Sequence, residues 1–198
     1  MVTHIFILPS FWTEMIIGVT GLVGSGKGAV SDILVGKGFF KLGHSGIIDE
    51  ELRRRGISTI RDNQVAVANE MRLKMGPEYW AKKLIERIEP GKNYVVEGFR
   101  NTAEVSEFKK ISGFFLAGVA AGKKRRFEWL LKRARPGDPK NMVEFEKNEG
   151  RDFLQVGLSN GQQNALCFSM ADYFVSNEGT LDDLSRQVEL LLSQLDFK

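Results

Sequence analysis

Residues 15 to 30 read MIIGVTGLVGSGKGAV, which joins an apolar run, a glycine-dense bend and the start of a helical pattern. No other stretch restricts the fold as much. A buried strand that runs into Gly21, Gly24 and Gly26 must deliver its chain into a tight turn, where glycine alone adopts positive φ cheaply. The helix that follows then aims its first N–H groups back over that turn. Gly21, Gly26 and Lys27 match the first three fixed positions of G-x-x-x-x-G-K-[ST], in the strand-before, helix-after setting the pattern requires. The stretch Gly21, Leu22, Val23, Gly24, Ser25, Gly26, Lys27, Gly28 and Ala29 therefore reads as a cradle for the triphosphate of ATP, with inward amides and with Lys27 on the β/γ oxygens. The hydroxyl that normally follows the lysine is missing, since Gly28 and Ala29 stand there. A Mg²⁺ ion would have to lean on the nucleotide and on a carboxylate elsewhere.

After the loop, short apolar runs alternate with longer amphipathic ones. Strands are expected at Ile16–Thr20, Phe39–Leu42, Tyr94–Glu97, Phe114–Val119 and Tyr173–Ser176. Helices are expected at 27–36, 47–55, 62–75, 78–88, 103–111, 123–133, 142–153, 162–170 and 181–195, the last capped by Thr180 with Asp183. Alternation of this kind implies an α/β fold with helices on both faces of a parallel sheet. About fifty residues separate the second and third strands, more than one crossover needs, so a helical insertion is expected at about 44–90, and a lid at about 133–155. Residues 15–198 form one domain, and 1–14 read as an extension of it. That extension, with IFILPSFW, is too short to span a bilayer and lacks a basic leader. The lone Cys167 excludes an internal disulfide and reads as a buried apolar residue, which points to a reducing, cytoplasmic setting. A net charge of +3 suits a small anionic substrate as well as a polyanion.

Three further stretches carry chemistry. VVEGFRN ends the third strand and places Glu97 and Arg100 at the sheet edge beside the loop, where a carboxylate can order the waters of Mg²⁺. KKRRFEWLLKRARPGDP sets Arg126 and Arg133 seven residues apart on one helix face, where arginines of a closing lid can stabilise a transferring phosphoryl group; a solvated face or a nucleic-acid patch is the alternative. MADYFVSNEGTLDDL reads as strand, turn and capped helix.

Taken together, these stretches resemble the P-loop nucleoside-monophosphate kinases. GSGKG is similar to the adenylate-kinase loop, and VVEGFRN to the D-G-x-R sequence of the small archaeal adenylate-kinase-related proteins. The last stretch also resembles dephospho-coenzyme A kinases. The resemblance implies a three-layer α/β/α fold with a five-stranded parallel sheet in the order 2-3-1-4-5, and transfer of the γ-phosphoryl of ATP to a nucleoside monophosphate. It implies Glu97 on metal waters and Arg100 on the acceptor phosphate. It places Arg133 and Arg135, with Arg126 and Arg151, on the phosphates from the lid, and Asn177 to Gly179 by the adenine. For the acceptor it suggests Arg72, and Arg53 or Arg54 in place of an arginine whose usual position falls near Asp49. The expected partner is a small nucleotide rather than nucleic acid or a membrane, and monomer and homodimer are both compatible. Two alternatives stay open: a dephospho-coenzyme A kinase, with Asp49 as its base, and an ATP-binding regulatory or accessory ATPase.

Overall fold

The computed structural model describes residues 15–135, 137–153 and 161–197. The expected extension at 1–14 and the end of the expected lid, 154–155, lie outside them. Five parallel strands, β1 (Ile16–Thr20), β2 (Phe40–Gly43), β3 (Tyr94–Glu97), β4 (Phe114–Ala120) and β5 (Tyr173–Ser176), form one sheet in the order β2-β3-β1-β4-β5. This is the sheet order that the family resemblance implies. β1 lies at its centre, with Gly18 in register with Val96 on one side and Leu116 on the other.

Period-two alternation distributes the sheet residues between two cores. Ile16, Tyr94, Val96, Phe114 and Leu116 face one layer with Ile47, Leu52, Trp80 and Phe108. Ile17, Val19, Val95, Ala117 and Val119 face the other, with Leu34, Leu184 and Val188. Because both faces of β1 are covered, its five residues are all buried, and an unbroken apolar run is the consequence. The second layer contains α1 (Lys27–Gly36) and α9 (Leu181–Gln194). Thr180 and Asp183 form the expected capping box at the start of α9.

Between β2 and β3 the chain builds α2 (His44–Arg54), α3 (Arg61–Met75) and α4 (Tyr79–Ile85). Trp80 Nε1 donates to the Ala68 carbonyl at 3.1 Å and fastens α4 to α3. Then α5 (Thr102–Phe108) follows β3, α6 (Lys123–Arg133) follows β4, and α7 (Met142–Phe153) and α8 (Asn164–Ser169) precede β5. Cys167 is fully buried, and burial pushes its thiol up to about 12, so it is the inert apolar residue the sequence suggests. Among the described residues no helix is long and apolar enough to cross a membrane.

Candidate functional site

The loop between β1 and α1 is shaped by glycine at two positions in particular. Gly21 has φ +150°, and a Cβ there would stand 2.4 Å from the Val119 carbonyl oxygen. Gly26 has φ +95°, and its Cβ would stand 2.0 Å from Asn177 Nδ2. The loop carbonyls are held by side-chain donors. Lys27 Nζ donates to Gly21 and Leu22 at 2.9 Å each, Arg126 Nη1 to Val23 at 2.9 Å, and Asn177 Nδ2 to Ser25 at 3.0 Å. With the carbonyls engaged this way and the Ser25 amide turned onto the Leu22 carbonyl at 3.2 Å, the other loop amides form a nest for an anion. α1 starts with no side-chain cap and no acidic residue in its first turn, so no side chain opposes its N-terminal dipole.

Cavities open on either side of Lys27, which lines both. One, of about 540 Å³, is bounded by Gly26, Gly28, Ala29, Trp129, Asn177 and Gly179, with Arg133 and Arg135 at its rim. The other, of about 270 Å³, is bounded by Arg72, Glu97 and Arg100 and by the start of α2. A third hollow of about 740 Å³, lined by Arg61, Arg133 and Arg135, joins them on the outer side. The sequence-derived candidates Lys27, Arg72, Glu97, Arg100, Arg133, Arg135, Asn177 and Gly179 therefore gather around one cleft.

Others do not. Arg126 is 4% exposed, lines none of these cavities and spends its guanidinium on the Val23 and Ala121 carbonyls and on Glu149. It props the loop from below; a basic run cannot reveal that, since its partner Val23 lies 103 residues away. Arg53 and Arg54 are exposed and outside the acceptor-side cavity, because α2 turns Ile47, Ile48 and Leu52 inward and so carries its next two residues outward. Arg54 is a bidentate partner of Glu51 at 2.7 Å. Asp49 accepts from Gln64 Nε2 at 2.6 Å and is not part of the cavity wall. The side chain of Arg151 lies outside the described residues.

Apart from Arg72, the cavity wall missed in the sequence is one stripe of α3. Arg61, Gln64, Val65, Ala68, Asn69 and Arg72 recur at helical spacing and all face in. The signal is a helical-period stripe that mixes polar and apolar residues. His44 was also missed. Its Nδ1 lies 2.9 Å from the Glu97 carbonyl, and a carbonyl only accepts, so Nδ1 carries the proton.

Charge at the site is closely balanced. Burial holds the His44 imidazole below its ordinary 6.5, against the pull of Glu104, so the ring is neutral. Burial would push the Glu104 carboxyl up, but the Arg72 guanidinium and the Arg100 amide outweigh it and hold the group below 4.5. Asp138 likewise overcomes its burial through Arg133 and the Arg135 amide and sits below 3.8. His44 and Glu104 bind protons more readily when unfolded, so folding stability is full above about pH 6.5 and falls as pH drops, first through His44 and below 4.5 through Glu104 as well. Urea unfolding from pH 8 to 5 is expected to show this loss below 6.5, and His44→Gln to flatten it; a level wild-type profile would contradict the neutral buried ring.

For Mg²⁺ the fit is partial. Among the described residues no cluster of three or more His, Cys, Asp or Glu could hold a metal. Glu97 faces the cavity with Oε1 lacking a hydrogen bond, although Lys41 Nζ lies 3.1 Å away as an off-axis ion partner. One such carboxylate suits an outer-sphere contact through water, with the ion carried by nucleotide phosphates.

The loop and the sheet order place the chain in the P-loop class, whose fold implies nucleotide binding, and residues 17–152 match the AAA domain family. Within that class the chain belongs to the UPF0200 proteins. It is 36% identical over 173 residues to the UPF0200 protein of Aeropyrum pernix, spanning 86% of this chain and 88% of that one. Among solved structures, TT1252 from Thermus thermophilus superposes with TM-score 0.59 at 20% identity, covering 92% of this chain and 98% of that one. Shikimate kinase from Acinetobacter baumannii superposes with TM-score 0.57 at 16% identity, covering 95% and 98%. At those identities the likeness concerns the fold.

Proposed function

We propose that the chain is an ATP-dependent phosphotransferase that moves the γ-phosphoryl onto the phosphate of a nucleoside or deoxynucleoside monophosphate. The observation that carries this reading is the sharing of Lys27 by two cavities, one running to Asn177 and Gly179, the other to Arg72 and Arg100. A triphosphate seated on the loop amides would lie in the first and present its terminal phosphorus to the second. Lys27 would leave the Gly21 and Leu22 carbonyls for the β/γ oxygens and follow the moving charge. Arg100 would hold the acceptor phosphate. Arg133 and Arg135 would close from the rim, with Arg133 exchanging Asp138 for a phosphate oxygen. Glu97 would hold a Mg²⁺ ion through its waters, and the ion would supply charge neutralisation to the triphosphate. Catalysis here is positional and electrostatic, and a phosphate acceptor needs no protein base.

A hydroxyl acceptor such as dephospho-coenzyme A is less well served, because Asp49 is engaged by Gln64 away from the cavity. A coupled assay with ATP, Mg²⁺, a panel of 5′-monophosphates and dephospho-coenzyme A tests the proposal. Turnover of a monophosphate supports it. Turnover of dephospho-coenzyme A alone replaces it, and no turnover with any acceptor favours the regulatory ATPase.

The missing hydroxyl yields a separate expectation. A side chain at Gly28 would meet open space, so Gly28→Ser is expected to fold as the wild type does. By adding a hydroxyl where the loop pattern has one, it should lower the Mg²⁺ concentration for half-maximal turnover several-fold. An unchanged Mg²⁺ titration would contradict the account of the loop.

A further inference from the structure

Glu104 lies behind the acceptor-side cavity, fully buried, and performs two tasks with one carboxylate. Its Oε2 accepts from the backbone amides of Arg100 at 2.9 Å and Asn101 at 3.2 Å, as part of the capping box that starts α5. Its Oε1 accepts from Arg72 Nε at 2.9 Å and Nη2 at 2.8 Å, across 32 residues of sequence. The turn after β3 and the helical insertion are therefore joined through this side chain, and both arginines it holds, Arg72 and Arg100, line the cavity.

The donors of Arg72 can be accounted for. A guanidinium carries five N–H groups. Nε and one hydrogen of Nη2 go to Glu104, and one hydrogen of Nη1 goes to Asn69 Oδ1 at 3.0 Å. One N–H on Nη1 and one on Nη2 are left to meet an anion such as phosphate or carboxylate. Arg72 is 2% exposed, so its guanidinium is held rigidly, in a wall it shares with Lys27.

We infer that Glu104 is the positioning residue of the acceptor site: by clamping Arg72 through its side chain and Arg100 through its backbone, it aims both arginines at one oxyanion of the acceptor. This rests on the phosphotransferase reading and deepens it. Glu104 touches no substrate and acts through the two arginines. His44, 3.9 Å away at Nε2, and the buried thiol of Cys167 are further ionisable neighbours of the carboxylate, and both are neutral.

The test uses full-length protein, ATP and whichever 5′-monophosphate the wild type turns over best. Glu104→Gln keeps the size and the acceptor oxygen for the amides but leaves Arg72 without its counter-charge. The acceptor KM should rise at least tenfold while the ATP KM stays within twofold. Since that variant buries an unpaired charge and can fail to fold, Arg72→Met combined with Glu104→Gln restores neutrality. The double variant should regain the wild-type unfolding midpoint and keep the raised acceptor KM. A folded Glu104→Gln protein with an unchanged acceptor KM would overturn the inference, as would a double variant that recovers acceptor KM together with stability. A wild type inert towards every monophosphate removes the phosphotransferase reading and this inference together, a pattern distinct from either of those.

Discussion

Lys27→Ala is expected to reduce phosphoryl transfer at least a hundredfold to a thousandfold while the unfolding midpoint stays near that of the wild type. The ammonium rests on two carbonyls of its own loop, at 2.9 Å each, and bridges the cavities on either side. Losing those two hydrogen bonds removes about 1–2 kcal/mol, which the remaining anchors from Arg126 and Asn177 limit to the loop. No other described side chain lines both cavities, so transfer loses the cation that would accompany the moving charge. Steady-state turnover together with urea unfolding checks this. A variant that folds normally and keeps a tenth of wild-type turnover would remove Lys27 from the chemistry.

Gly21→Ala is expected to cost about 3–5 kcal/mol of folding stability and to abolish ATP binding. The added methyl would meet the Val119 carbonyl oxygen at 2.4 Å, a backbone atom of the central sheet that cannot step aside, and φ +150° is strained for any L side chain. Val119 belongs to β4, which pairs with β1 along its length, so relief would require parting the two strands that set the loop. Equilibrium unfolding measures the first effect and ATP titration the second. A variant within 1 kcal/mol of wild type that binds ATP normally would mean that the loop is not held as described.

Much of this architecture was legible because its signals are local. A strand covered on both faces is continuously apolar, and a loop requiring positive φ is rich in glycine; both marks survive in MIIGVTGLVGSGKG. Thr180 and Asp183 announced their capping box three residues apart. The sheet order came from the family resemblance, since strand neighbours such as β1 and β4 lie far apart in sequence.

Long-range partners were not legible. Arg126 and Arg133 look alike in a basic helix, yet one is buried beneath the loop and the other stands at the rim with Asp138. Glu104 is the N3 residue of the α5 capping box, and nothing local in the sequence reveals the arginine from α3 that fills its other oxygen. The acceptor wall on α3 was overlooked because the helix was expected to begin at Asp62, which leaves out Arg61 and hides the full stripe. For Glu104 and the α3 wall the missing information is the packing of the helical insertion against the sheet; for Arg126 it is the seating of α6 beneath the loop.

The central claim is that the loop amides and Lys27 grip a triphosphate without help from a side-chain hydroxyl. Calorimetric titration of the purified protein with ATP and Mg²⁺ tests it most directly. One site per chain with a Kd of about 1 μM to 1 mM is expected, retained with a nonhydrolysable analogue and lost in Lys27→Ala. Absence of binding by ATP and its analogue at millimolar concentration, with the protein folded, would contradict it.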